Sequence, residues 1–239
     1  MQPLRIAPSR LVFGAALLLA SVPLAAQPVP TGREVVERYV EAVGGRQALA
    51  RVQHRHAVYE MSVDGRVMTM DVKMARPNHG LVTLTTPMGP LVSGFDGTIA
   101  WVNSAMTGAQ LLEGPEAEQA MRRARFDGDV LFDAYTRLET LGREEIDGQP
   151  CWNVRMSSED GEEATRCFHT ETGLQVGATE NGIRVVYGGY LEVDGLKYPA
   201  SMTSVMDGER VTITLKRVSH DPIPAETFAL PAEVRALLH

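Results

Sequence analysis

Apolar and polar residues alternate along most of this chain with the two-residue period of a β-strand. Apolar side chains fill every second position from Tyr59 to Val63 and again from Met68 to Met74, and Asp64-Gly65 separates the two runs. Aspartate, asparagine and glycine tolerate the positive φ angles of tight hairpin turns. Further turn dipeptides of this kind lie at Asp96-Gly97, Asp147-Gly148, Asp160-Gly161, Asn181-Gly182, Asp194-Gly195 and Asp207-Gly208. The pattern predicts an antiparallel meander of about ten strands in one sheet.

A helix is predicted ahead of the meander. Thr31 and Glu34 match a capping box, and apolar residues recur at helical spacing as far as Val43. Gly44-Gly45 ends this helix, and residues 46–52 are predicted to form a short second one. Because this helical segment has a single apolar stripe, we expect it to cover an apolar surface.

A second helical segment interrupts the meander. Pro115 follows Gly114, as is common at the start of a helix, and helical spacing continues to Arg125. Residues 126–135 are expected to add another turn or two. The predicted apolar side of this helix consists of Ala117, Ala120, Met121 and Ala124. The two helical segments together could plug or cover a curved sheet.

The first residues have the composition of a signal peptide. Arg5 and Arg10 precede an apolar run from Leu11 to Leu24, and Ala25-Ala26 supply the small residues of a cleavage site. The run is too short and too interrupted for a membrane anchor. The sequence therefore predicts a signal peptide over 1–26, export to the periplasm, and a single domain over 27–239. No cysteine stands directly after the apolar run, at the predicted cleavage site, so we expect no lipid anchor on the mature N-terminus.

The net charge of the chain limits the classes of partner that it is suited to bind. The chain carries a net charge of −7, and the export segment removes two arginines and no acid from it. An acidic chain without a basic cluster is a poor partner for nucleic acid or for anionic lipid surfaces. We expect a monomer that binds no nucleic acid.

The two cysteines of an exported chain predict a disulfide. Cys151 and Cys167 flank a hairpin-like segment. With the cysteines directly opposite each other, Arg155 faces Glu163 across the strands, which is a favourable pair. The alternative of a redox-active or metal-binding thiol pair lacks the C-x-x-C spacing.

Residues 75–103 resemble the periplasmic lipoprotein carrier family, the LolA-like proteins. The shared features are Arg76-Pro77-Asn78, Thr85-Thr86-Pro87, Leu91-Val92-Ser93, Asp96-Gly97, Trp101 and Asn103. Residues 190–199 and 228–231 resemble late strands of the wider lipoprotein-sorting group. The resemblance implies a mainly β (α+β) fold, in which one strongly curved antiparallel sheet forms an incomplete barrel and helices plug or cover its concave side. Where the family has aromatic residues after the Arg-Pro-Asn step, this chain has His79-Gly80-Leu81-Val82.

The resemblance also implies an apolar cavity for the acyl chains of a lipoprotein, and a role for Arg76 in locking the lid over the empty cavity. An ordinary structural arginine that binds strand-end carbonyls is the alternative for Arg76. From the residues alone, the alternating methionines favour a core over a cavity, although flexible methionines suit a surface that binds variable apolar shapes. The candidate cavity residues are Tyr59, Met61, Met68, Met70, Val72, Met74, Val82, Leu84, Trp101, Met121, Trp152, Val154 and Met156.

No motif of a known enzyme class is present in the sequence. His54 and His56 lack further metal ligands at suitable spacing, and Glu144-Glu145 fit a solvated hairpin end. We therefore expect no enzymatic activity, cofactor or metal.

Three hypotheses remain open. The first is a periplasmic carrier or chaperone for lipoproteins or other acylated molecules, with an inner-membrane release complex and an outer-membrane acceptor as possible partners. The second is an envelope accessory module without lipid cargo. The third is a cavity enzyme that acts on an apolar small molecule.

Overall fold

The computed structural model describes residues 28–159, 161–180 and 182–238, so the predicted signal peptide over 1–26 lies outside the described residues. The described chain forms one antiparallel sheet of thirteen strands, which is curved and not closed. The strands are β1 His54–Val63, β2 Arg66–Ala75, β3 His79–Thr86, β4 Gly89–Phe95, β5 Ala100–Ser104, β6 Gly108–Leu111, β7 Tyr135–Ile146, β8 Gln149–Ser158, β9 Glu163–His169, β10 Gln175–Glu180, β11 Ile183–Val193, β12 Leu196–Met206 and β13 Glu209–Ser219.

The strand order explains why helices cover one face of the sheet. Strands β1 to β6 run outward in one direction, β13 back to β7 run outward in the other, and β1 pairs with β13 in the middle. The consecutive strands β6 and β7 are therefore the two opposite edges of the sheet. The segment that joins them, residues 112–134, has to cross from edge to edge, and we call it the lid.

Five short α-helices accompany the sheet in the described residues. They are α1 Gly32–Ala42, α2 Gly45–Arg51, α3 Gly114–Ala124, α4 Gly128–Leu131 and α5 Ala232–Arg235. The lid contains α3 and α4. The capping box predicted for α1 is present, since the Thr31 hydroxyl accepts a hydrogen bond from the Glu34 amide and the Glu34 carboxylate accepts one from the Thr31 amide at 2.7 Å.

The predicted two-residue hairpin turns are confirmed at four Asp-Gly positions, where the structure describes both turn residues. Asp64, Asp147, Asp194 and Asp207 have φ between 46° and 52°, and the glycine after each is also in the positive-φ region. Asp96-Gly97 differs from the others. Its carboxylate accepts hydrogen bonds from the amides of Thr98 and Ile99, which makes a wider turn.

The solid part of the core lies over β7, β8 and β9. Helices α1 and α4 pack there, and their apolar side chains are buried against those of the strands. Tyr39, Phe132 and Phe168 stack at centroid distances of 5.2 to 6.2 Å. The other buried members of this cluster are Val35, Val36, Val43, Val154 and Met156.

The predicted disulfide between Cys151 and Cys167 is present, with the two Cα atoms 5.5 Å apart. The register is shifted by two residues from the predicted one, because Cys151 lies opposite His169 and the bond joins diagonal neighbours. The predicted Arg155–Glu163 pair was therefore wrong, and Arg155 lies 3.9 Å from Glu139 instead. An even shift leaves every side chain on its predicted face.

Two further sequence predictions were wrong. The meander has thirteen strands and not about ten, because short strands such as β5 and β6 are joined by a turn at residues 105–107 that has no Asp-Gly or Asn-Gly signal. Residues 228–231 form no strand. Ala225–Phe228 is a 3₁₀ turn that places the buried Phe228 ring 5.7 Å from His79.

Candidate functional site

A cavity of about 530 Å³ lies between α3 and the first half of the sheet. Volumes of about 300–1,000 Å³ are usual for small-molecule sites. Helix α3 contributes Glu116, Gln119, Ala120, Arg123 and Ala124 to its wall. The sheet contributes mainly apolar side chains, among them Met70, Val72, Met74, Val82, Phe95, Val102 and Leu112 from strands β2 to β5 and the start of the lid.

Small residues allow α3 to sit close to the sheet at one end of this cavity. A Cβ atom on Gly80 would lie 3.5 Å from the Cβ of Ala124, so a larger residue than alanine at position 80 would push the helix away. Ala124 packs with Phe95 and Ala100, and the half-buried Ala117 and Ala120 continue this contact along α3. The helix thus contacts the sheet through its alanines, and the cavity lies beside these contacts, along residues 116–124.

Arg76 holds the lid to the body of the protein. Its guanidinium donates hydrogen bonds to the carbonyls of Val52 at 2.7 Å and Leu49 at 2.9 Å, at the end of α2, and forms an ion pair with Asp127 in the lid. The same guanidinium lies 4.6 Å from the centroid of the Phe126 ring. Arg76 therefore contacts the lid and also binds backbone carbonyls, but these lie at the end of a helix and not at the end of a strand as the structural alternative expected.

Arg55 completes this contact from β1. Its guanidinium lies 5.3 Å from the centroid of Phe126 and donates a hydrogen bond of 3.3 Å to the Phe126 carbonyl. The Phe126 ring, which is buried, therefore has two arginines beside it. Arg55 also lies 2.9 Å from the sulfur of Met74, a residue that lines the cavity. We call Arg55, Arg76, Phe126 and Asp127 the latch.

The thirteen residues predicted to line a cavity separate into three groups. Met70, Val72, Met74, Val82 and Trp101 border the cavity under α3, although the Trp101 ring itself packs on Gly94 and is 2% exposed. Half-buried residues on the same sheet that do not line it are Tyr59, Met61, Met68 and Leu84.

The remaining four predicted residues lie elsewhere. Val154 and Met156 are fully buried in the solid core under α1, and Trp152 packs against that core. Met121 is 42% exposed, because the side of α3 that faces the sheet is formed by Ala117, Ala120 and Ala124. The structure thus brings together only the members from strands β2 to β5.

A second cavity of about 530 Å³ lies on the other side of α3, over strands β9 to β13. Gln119 and Arg123 border both cavities. Its apolar wall is formed by Ile183, Val185, Tyr187, Met202 and Ile213. Four arginines line it as well, and sequence analysis missed them as a group because Arg166 is far in sequence from Arg122, Arg123 and Arg125.

Asp71, which lies in a charged cluster on β1 and β2, has a pKa that differs from its ordinary value. Burial alone would raise the pKa of Asp71, but hydrogen bonds from Lys73 at 2.5 Å and His56 at 2.7 Å outweigh burial and lower it below its ordinary value of 3.8.

In the described residues, no three histidine, cysteine or acidic side chains are grouped so that they could hold a metal ion. No helix of that part of the chain has the length and apolar character needed to cross a membrane.

No protein-family model matches the chain, and no curated protein matches its sequence. Solved structures do match it. A DUF1329 family protein from Desulfovibrio piger gives a TM-score of 0.59 at 13% identity, over 83% of this chain and 97% of the other. A LolA superfamily protein from Nitrosomonas europaea gives 0.58 at 14% identity, over 84% and 98%. The chain has a LolA-like fold.

A third match has the same architecture. A putative outer membrane lipoprotein-sorting protein domain from Vibrio parahaemolyticus gives a TM-score of 0.55 at 11% identity, over 79% of this chain and 92% of the other. The LolA-like fold predicted from residues 75–103 is therefore confirmed at the level of architecture: an open, curved antiparallel sheet with helices against it.

Proposed function

We propose that this protein is a periplasmic carrier that shelters an acyl chain of a lipoprotein, or of another acylated molecule, beneath the lid. The observation that carries this proposal is the mainly apolar cavity under α3. The latch ties the segment directly after α3 to the body of the protein. The names of two matched structures, a LolA superfamily protein and a putative lipoprotein-sorting domain, agree with such a role.

The binding energy available to such a site is large. Burial of one methylene group contributes about 0.8 kcal/mol, so a sixteen-carbon chain offers up to roughly 12 kcal/mol of transfer free energy. A carrier that retained all of this energy would not release its cargo. The cost of opening the lid has to be subtracted from the binding energy, and the latch sets that cost.

The latch is suited to this task because it joins the lid to two parts of the body. Asp127 and Phe126 belong to the lid, whereas Arg55 belongs to β1 and Arg76 directly follows β2. When the lid lifts, the ion pair and both arginine–ring contacts break together, while the bonds from Arg76 to the end of α2 can remain. The closed state is thereby stabilised without any change in the sheet.

The test is mass spectrometry of lipids that co-purify with the protein after export. We expect acylated molecules bound to the wild-type protein and none bound to Met70→Glu, which places an unpaired charge on the cavity wall. Thr69→Glu is the matched control, because residue 69 is on the same strand and exposed. Wild-type protein that carries no lipid and takes up no apolar dye would contradict the proposal and favour the accessory module.

A further inference from the structure

The cavity over β9 to β13 combines an apolar wall with a concentration of positive charge. Its lining includes Arg122, Arg123, Arg125 and Arg166, and Glu162 is the one acidic residue among the described residues that line it. Such a concentration is unexpected in a chain with a net charge of −7. The net charge of the whole chain therefore differs in sign from the local charge of this cavity, where arginines outnumber acidic residues.

Two of the four arginines already have described partners. Arg122 lies 3.3 Å from Glu162, which also accepts a hydrogen bond of 3.1 Å from the Tyr135 hydroxyl. The Arg166 guanidinium lies 5.8 Å from the centroid of Phe132. Arg123 and Arg125 are exposed, and neither forms an ion pair with another residue in the described part of the chain. Those two guanidiniums retain all of their donors for a ligand.

The helix dipole accounts for only part of this arrangement. Cations in the last turn of a helix are favourable, and Arg122 and Arg123 occupy the last turn of α3. The dipole gives no reason for Arg166, which belongs to β9, to face the same cavity. An arginine from the sheet and three from the lid converge on one space.

The two cavities are adjacent under α3. Arg123 and Gln119 border both, so a molecule with its chain in the cavity over β2 to β5 would place its polar end beside Arg123. Arginine binds carboxylates and phosphates through paired hydrogen bonds. The positions of the apolar wall and of the arginines therefore fit the two ends of one amphiphile.

We propose that the cargo is an amphiphile with an anionic head group, a carboxylate or a phosphate, which Arg123 and Arg125 bind while the acyl chain lies under α3. This inference rests on the proposed function, since it assigns the chemistry of the head group to the same carrier site.

The experiment measures displacement of the neutral dye N-phenyl-1-naphthylamine from the full-length exported protein. Three competitors share a sixteen-carbon chain: neutral monopalmitoylglycerol, palmitate, and monopalmitoyl phosphatidate, each below its micelle-forming concentration. We expect the anionic competitors to bind about tenfold or more tightly than the neutral one, since charge-assisted hydrogen bonds are the stronger class. A preference for palmitate alone indicates a carboxylate cargo, and a preference for the phosphatidate alone a phosphate cargo; either supports the proposal.

The variant Arg123→Gln/Arg125→Gln should remove this preference, so that palmitate and the phosphatidate displace the dye no better than monopalmitoylglycerol does. The control is Arg137→Gln/Arg217→Gln, which makes the same change in net charge at exposed positions outside both cavities. Equal affinity for all three competitors, or an equal loss in the control, would overturn the inference and leave the carrier function intact. If the dye does not bind and no competitor has an effect, the proposed function fails, and this inference fails with it.

Discussion

The latch makes a quantitative prediction for Arg76→Leu. This change removes the ion pair with Asp127, whose side chain is 11% exposed, and the contact with the Phe126 ring. A charge-assisted hydrogen bond contributes about 1.5–3 kcal/mol and a cation–π contact of this kind about 0.5–1 kcal/mol. The Arg76 side chain is 27% exposed, so solvent screening favours the lower end, about 2 kcal/mol in total.

A loss of about 2 kcal/mol shifts the ratio of closed to open lid by roughly thirtyfold. The assay is hydrogen exchange of the backbone amides of α3, with those of β12 as an internal control because β12 is hydrogen-bonded to β11 and β13 within the sheet. We expect exchange in α3 to accelerate by about this factor and uptake of an apolar dye to become faster. Exchange in β12 should not change.

Asp127→Asn separates the lid contact from the purely structural contacts of Arg76. The amide keeps the size of the side chain but removes the charge, and the hydrogen bonds from Arg76 to Val52 and Leu49 remain. We expect a smaller acceleration in α3 and a non-additive result when both substitutions are combined. If Arg76→Leu lowers the melting temperature while exchange in α3 and dye uptake stay unchanged, Arg76 is a structural arginine and the lock does not exist.

Three further predictions follow from the same structure. Met70→Glu should abolish dye binding, whereas Thr69→Glu should not; equal titrations of the two variants would exclude Met70 from the binding wall. Reduction of the disulfide should lower the free energy of unfolding by about 3 kcal/mol in urea titrations, and an unchanged midpoint would refute this. Because its folded pKa is lowered, Asp71 contributes stability above its ordinary pKa of 3.8 that is lost as the pH falls through the lowered value. The stability deficit of Asp71→Asn should therefore shrink below that pH, and a pH-independent deficit would contradict the assignment.

Features that depend on neighbours in sequence could be predicted. The capping box of α1, the start of α3 at Gly114-Pro115 and the four described Asp-Gly hairpins each follow from a few adjacent residues whose conformational preferences agree with the fold. The disulfide was predictable for the same reason, because the two cysteines flank one hairpin. Its exact register was not, since that depends on which residues pair at the end of the hairpin, where Ser157 lies opposite Glu163.

The position of the cavity could not be predicted from the alternation alone. Met70 and Val72 have the same two-residue pattern as Val154 and Met156, yet α1 fills the space above the second pair while α3 leaves space above the first. The pattern shows which face of a strand is apolar. It contains no information about which helix covers that face, because the helices reach the sheet from distant parts of the chain.

Of the four latch residues, the sequence indicated only Arg76. Arg76 was found through the Arg-Pro-Asn motif, but its partner Asp127 is 51 residues away and Phe126 is 71 residues from Arg55. Asp127 stands at the N-cap position of α4, and its carboxylate forms the ion pair with Arg76 without making a side-chain capping hydrogen bond.

The central claim, that an acyl chain binds beneath α3, is tested most directly with protein labelled with ¹³C at its methionine methyl groups. Met70 and Met74 line the cavity, whereas Met88 and Met106 are 66% and 73% exposed at hairpin tips and report on surface binding. On titration with monopalmitoylglycerol, we expect the resonances of the first pair to shift and those of the second pair to stay in place. Shifts confined to Met88 and Met106, or no shifts at saturating lipid, would contradict the proposed site.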